Sequence, residues 1–110
     1  MAYLPDRGHV IWVSLSPTVG HEQSGKRPVV VLSPASYNKR SGMLLVCPIT
    51  AHAKGYPFEV PIPARLPVHG VILADHIRTL DWNARPIQHI GKLPEDLMEE
   101  ALARSRTLLS

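Results

Sequence analysis

Pro28-Val29-Val30-Val31-Leu32 is the stretch on which the fold turns. It carries no polar side chain, and its run of β-branched residues reads as a strand buried on both faces rather than one with a wet side. A second run of this kind, Met43-Leu44-Leu45-Val46-Cys47-Pro48-Ile49-Thr50, closes on a hydroxyl. Upstream, residues 10–15 (VIWVSL) are β-branched and aromatic, and residues 16–20 (SPTVG) carry turn chemistry. The polar loop continues through residues 21–27 (HEQSGKR) and sets Lys26 and Arg27 at the mouth of the 28–32 strand. A loop that long in so small a domain is usually functional or disordered, and a functional loop is expected here.

Outward in the other direction, residues 33–42 (SPASYNKRSG) read as a connection and residues 51–55 (AHAKG) as a polar turn. Residues 58–62 alternate, and residues 71–74 and 86–90 supply two more short strands, giving about six in all. After Gly91 the period changes. Pro94 suits a first helical position, Glu95 and Asp96 the positive end, and Arg104 and Arg106 the negative end. Leu97, Ala101 and Leu108, with Met98, Leu102 and Leu109, form an apolar stripe. Short strands followed by one helix predict an α+β, mainly β architecture: a small SH3-like β-barrel with a C-terminal helix.

Composition bounds the rest. The chain has 110 residues, 45% hydrophobic and 19% charged, which fits one folded domain spanning 1–110 and argues against global disorder. Eleven prolines break most long helices and suit turns and edge strands. A lone Cys47 precludes an intramolecular disulfide framework and fits a reducing, cytoplasmic setting. The first residues lack a leader pattern and no apolar run would cross a bilayer, so neither secretion nor insertion is expected. A net charge of +3, with six histidines, permits a nucleic-acid partner without demanding one.

Some segments are more particular. Pro5-Asp6-Arg7-Gly8, residues 20–34 (GHEQSGKRPVVVLSP), Tyr37-Asn38, Pro48-Ile49-Thr50, residues 54–60 (KGYPFEV) and residues 70–75 (GVILAD) together resemble the MazF/PemK family, across nearly the whole chain. The resemblance implies a MazF/CcdB-type toxin fold. It also implies the toxin half of a bacterial type II toxin–antitoxin pair: a homodimeric, metal-independent endoribonuclease that cuts single-stranded RNA, chiefly mRNA, at a short sequence and arrests translation. No cofactor and no metal are expected.

Such cleavage uses the substrate's 2′-hydroxyl as nucleophile, so the protein must remove its proton, stabilise a dianionic phosphorane and protonate the leaving 5′-oxygen. By resemblance Arg27 and Thr50 are catalytic: a guanidinium fork fits two phosphoryl oxygens, and a strand-end hydroxyl can donate to a phosphate oxygen and help hold the scissile group. A guanidinium keeps its proton at neutral pH, so the base is sought at His21 or Glu22. The resemblance also implies RNA-contacting or site-lining roles for Gln23, Lys26, Lys54, Asp75 and Arg78. Tyr56 and Phe58 have the chemistry to stack bases, but aromatics in strands are more often core, and Trp12 and Trp82 read as packing. His9, His52, His69, His76 and His89 show no zinc-ligand spacing.

Two departures stand out. Leu73 lies where PemK-type members carry an arginine, and His9 lies where the family has an acidic residue, which favours a MazF-like balance resting on Arg27 and Thr50. The expected partners are RNA, a second copy and a cognate antitoxin whose acidic disordered C-terminal segment folds on the basic groove. The rival reading is a non-catalytic toxin of the same fold that poisons DNA gyrase. Its Trp-Gly tail is missing from the terminus Arg106-Thr107-Leu108-Leu109-Ser110.

Overall fold

Val29, Val30 and Val31 are each completely shielded from solvent, so the strand expected to be buried on both faces is so buried. The computed structural model describes residues 3–15 and 25–109. In chain order the elements are β1 (His9–Ser14), β2 (Lys26–Val31), α1 (Ala35–Ser41), β3 (Met43–Thr50), β4 (Glu59–Pro61), β5 (Val71–Leu73), β6 (Arg78–Asp81), β7 (Gln88–Lys92) and α2 (Glu95–Arg106). All strand pairs are antiparallel, along the path β4-β5-β3-β2-β1-β7 with β6 branching from β3. The ends β4 and β7 are not paired to each other among the described residues, so the small barrel is an open one.

The sheet buries both faces because side chains alternate along each strand. On one face Val10, Val30, Cys47, Ile49, Val60 and Ile72 pack with Leu97, Met98 and Ala101 of α2. On the other, Ile11, Val13, Val29, Val31, Leu44, Val46 and Leu80 form a second core, flanked by Tyr3, Trp82 and Ile87. Cross-strand partners keep to their own core: Val10 faces Val30, Ile11 faces Val29, and Leu44 faces Leu80.

Four details differ from expectation. Residues 33–42 hold the helix α1 rather than a plain connection. Its centre is Asn38, fully buried, whose amide donates to the carbonyls of Pro5 (2.9 Å) and Ser33 (3.1 Å), while its own carbonyl receives the Trp82 indole (3.0 Å). Gly42, at φ 73°, then ends the helix. One strand beyond the six expected, β6, escapes a sequence reading because Leu80 alone among its residues is buried. Pro94 caps α2 instead of opening it, and beyond the helix Leu108 and Leu109 are exposed, so the apolar stripe ends before them. Trp12 and Tyr56 are exposed as well, contrary to a packing role.

The chain's start is tied down by charge. The Asp6 carboxylate accepts the N–H groups of Ala35 and Arg7, each at 2.8 Å, and the Ala35 bond above all holds its pKa below the usual carboxylate range. Arg7 Nε donates to the Leu32 carbonyl at 2.7 Å. Beside them, His9 Nδ1 accepts both the Tyr3 hydroxyl (2.6 Å) and the Asp6 N–H (3.2 Å), which places the ring proton on Nε2. The His89 ring lies edge-on to His9 with centroids 5.0 Å apart.

Gly70 makes the closest backbone approach in the fold. At φ +117° it lies so near the end of β3 that a Cβ there would stand 2.1 Å from the Thr50 carbonyl oxygen. Gly70→Ala is therefore expected to cost about 2 kcal/mol or more and to displace Thr50, since neither backbone can yield cheaply. Denaturant unfolding checks this, and a variant as stable as the parent would contradict the close approach.

Burial first, then the His89 imidazole and Lys92, hold His9 below the ordinary imidazole pKa against the opposing charge of Asp6. With the folded value below the unfolded one, the unfolded chain binds more protons between the two. The stabilisation is present above about pH 6.5 and is lost as pH falls from there through the folded value. Melting curves from about pH 7.5 to 5 should show a decline in Tm that His9→Gln flattens; parallel declines would contradict it.

Candidate active site

Three of the expected site residues are brought onto one face by strand register. The β2–β3 ladder runs Val31↔Val46, Val30↔Cys47, Val29↔Pro48. Pro28 has no N–H to carry it further, yet continuing the same register two residues sets Arg27 across from Thr50. Arg27 is paired on its other side with Val13, and Thr50 with Val71. Arg78 is paired with Val46. By alternation, Arg27, Thr50 and Arg78 all lie on the face of the second core, where its valines and leucines give way to polar side chains. Directly opposed residues have Cβ atoms roughly 5 Å apart, a span that one phosphate group can bridge.

The geometry of each fits a distinct task. Thr50 is 6% exposed, and its Oγ1 accepts the His52 N–H at 3.2 Å, which orients the hydroxyl. Its own hydrogen has no acceptor among the described residues and remains available to an incoming oxygen. Arg27 is half-buried at the start of β2, beside the exposed Lys26. Arg78 donates from Nη1 to the Leu15 carbonyl at 2.6 Å, and the Leu15 N–H in turn donates to the Gly25 carbonyl at 3.0 Å. Arg78 thus secures the point where β1 ends and β2 approaches.

The remaining expected residues are dispersed. Lys54 is exposed in the turn after Thr50. Asp75 is exposed in the turn joining β5 to β6, 3.9 Å from His76 Nε2. Its charge adds to the burial that pushes the Cys47 thiol up to about 12, so that cysteine is an inert packing residue. His21, Glu22 and Gln23 lie outside the described residues. Among the described residues no three His, Cys, Asp or Glu side chains gather as a metal site would require.

Sequence reasoning passed over three contributors. Arg85 donates to the Ser14 carbonyl at 2.8 Å, so Arg78 and Arg85 hold successive carbonyls at the end of β1. Glu59, 7% exposed, shares the Thr50 face through the pairings Glu59↔Leu73 and Pro61↔Val71. Gly70 supports Thr50 from behind. Glu59 and Gly70 do lie within the segments that carry the family resemblance, whereas Arg85 follows a polar turn and offers no local signal.

The arrangement agrees with known proteins. The model of PemK-like, MazF-like toxins of type II toxin–antitoxin systems matches residues 6–109. The chain is 48% identical over 96 residues to the endoribonuclease toxin MazF of Escherichia coli K12, covering 86% of each chain. The crystal structure of MazF from Deinococcus radiodurans superposes with a TM-score of 0.94 at 49% identity, covering 98% of both chains. A MazE–MazF complex from the same organism gives a TM-score of 0.86 at 44% identity over 99% of this chain and 98% of that one. A family match over nearly the whole chain, close identity to these relatives and a shared fold together show that the chain belongs to the family of PemK-like, MazF-like toxins of type II toxin–antitoxin systems.

Proposed function

We propose that this endoribonuclease toxin cuts single-stranded RNA without a metal ion, using the substrate's own 2′-hydroxyl, and that it does so from the face shared by Arg27 and Thr50. The observation that carries the reading is the β2–β3 register, whose continuation past Val29↔Pro48 sets a fork of N–H donors opposite a hydroxyl donor, beside valines completely shielded from solvent. Electrostatic stabilisation of a phosphorane needs donors fixed before the charge develops, and donors on packed strands satisfy that need better than donors on a free loop.

In the proposed reaction a base, His21 or Glu22, takes the proton from the 2′-oxygen, which then bonds to the adjacent phosphorus. Arg27 holds two non-bridging oxygens as charge accumulates, and Thr50 donates to the same group. The bond from phosphorus to the 5′-oxygen breaks, a proton goes to that oxygen, and the products carry a 2′,3′-cyclic phosphate and a 5′-hydroxyl. Lys26, Lys54 and Arg78, with Gln23 and Asp75, hold the flanking strand: cations to phosphates, amide and carboxylate to base edges. The toxin acts as a cytoplasmic homodimer and is silenced by a cognate antitoxin whose acidic segment covers this positive face. The MazE–MazF complexes of the Deinococcus relative support that partner class.

The test is incubation with long single-stranded RNA in excess chelator, mapping product 5′ ends and their chemistry. Discrete cuts leaving 5′-hydroxyl ends are expected, and Arg27→Ala should lower the rate by about 100-fold or more while RNA binding falls far less. Intact RNA with folded wild-type protein would contradict the reading and favour a protein-binding toxin such as a gyrase poison. An Arg27→Ala variant that loses binding and cleavage in equal measure would remove Arg27 from the chemistry.

A further inference from the structure

The turn that carries Lys54 has almost no backbone support of its own. Residues 51–57 are all exposed, and among the described residues no backbone–backbone hydrogen bond outside helices and strands involves residues 51–55. Order comes instead from side chains at the two ends. At the first, Thr50 Oγ1 accepts the His52 N–H. At the second, the Glu59 carboxylate accepts the Lys54 N–H at 3.1 Å (Oε1) and 2.9 Å (Oε2) and the Gly55 N–H at 2.8 Å (Oε1). Gly55 stands at φ +79°, a conformation that turns both N–H groups toward one acceptor. Arg104 of α2 supports the same turn from outside, donating to the Pro57 carbonyl.

Glu59 is an unusual residue to spend on such a turn. It is 7% exposed and forms no ion pair within 4.0 Å among the described residues. A buried carboxylate without a counter-charge is costly, and amide donors offset that cost only where they are held in place. If the turn needed shape alone, a short Asx or Gly turn would provide it at less expense in solvation. What the carboxylate adds is fixed placement of the main chain at Lys54, four residues past Thr50.

We infer that Glu59 is a positioning residue for RNA binding: its buried carboxylate fixes the Lys54–Gly55 main chain so that the Lys54 ammonium meets a phosphate flanking the scissile one. The inference rests on the ribonuclease reading above. Glu59 itself does not touch RNA and takes no part in proton transfer; it acts through Lys54 alone.

The test uses the full chain and the single-stranded RNA whose cut site has been mapped, comparing Glu59→Gln, Lys54→Ala and the double variant. Glu59→Gln keeps the size but leaves one carbonyl oxygen to serve both amides. It should raise KM about tenfold, as loss of one charge-assisted contact does, with kcat within about twofold. Because one phosphate contact is lost, the slope of log KM against log salt should fall by about 0.7 in both single variants. The double variant should be no worse than Lys54→Ala, since the two residues form one unit. Should Glu59→Gln not fold, Glu59→Asp, which keeps the charge one methylene short, is expected to show the same effect confined to KM. Multiplying effects in the double variant, or a lowered Tm with KM and salt slope unchanged, would overturn the inference and leave Glu59 a stabiliser of the turn. Wild-type protein that neither binds nor cuts RNA would overturn the ribonuclease reading itself.

Discussion

The pairing of β2 with β3 is the constraint on which the rest of this molecule depends. Val29, Val30 and Val31 are sealed on both faces, and their partners Val46, Cys47 and Pro48 are as well. Because the side-chain period is two, a slip of one residue would exchange the two cores and turn Arg27 into the face covered by α2. Burial on both sides therefore fixes register with unusual force. The same force, transmitted two residues past the last pair, sets Arg27 against Thr50. Core packing and site geometry are one fact seen at the two ends of a strand pair.

Around that pair, several charged side chains are held by main-chain atoms. Arg78 and Arg85 bond to the carbonyls of Leu15 and Ser14, Glu59 to the N–H groups of Lys54 and Gly55, and Asp6 to those of Arg7 and Ala35. Among the described residues the ion pairs are the exposed contacts His76–Asp75 and Arg104–Glu100. Such exposed pairs contribute little.

The sequence was legible where pattern and burial coincide. The continuous apolar runs at 28–32 and 43–50 could be read as doubly buried strands because nothing but a doubly covered strand accommodates them, and α2 followed from its caps and stripe. Helix α1 was not legible, since its cause is Asn38 reaching Pro5 and Trp82, partners 33 and 44 residues away. Nor was β6, a strand with one buried side chain. In the site, Arg27 and Thr50 were found through the resemblance and given a common face by the register. Gly70 and Arg85 act on main-chain atoms distant in sequence, and Glu59 on N–H groups of the preceding turn, contacts that leave no periodic trace.

The claim that most needs testing is that Arg27 and Thr50 act as one unit because the register opposes them. A double-mutant cycle in the RNA-cleavage rate measures this directly. Arg27→Ala and Thr50→Val each remove one donor, and the account predicts that the double variant is scarcely slower than the slower single variant, as expected for donors sharing one phosphoryl group. Losses that multiply would show the two residues acting independently and would contradict the account.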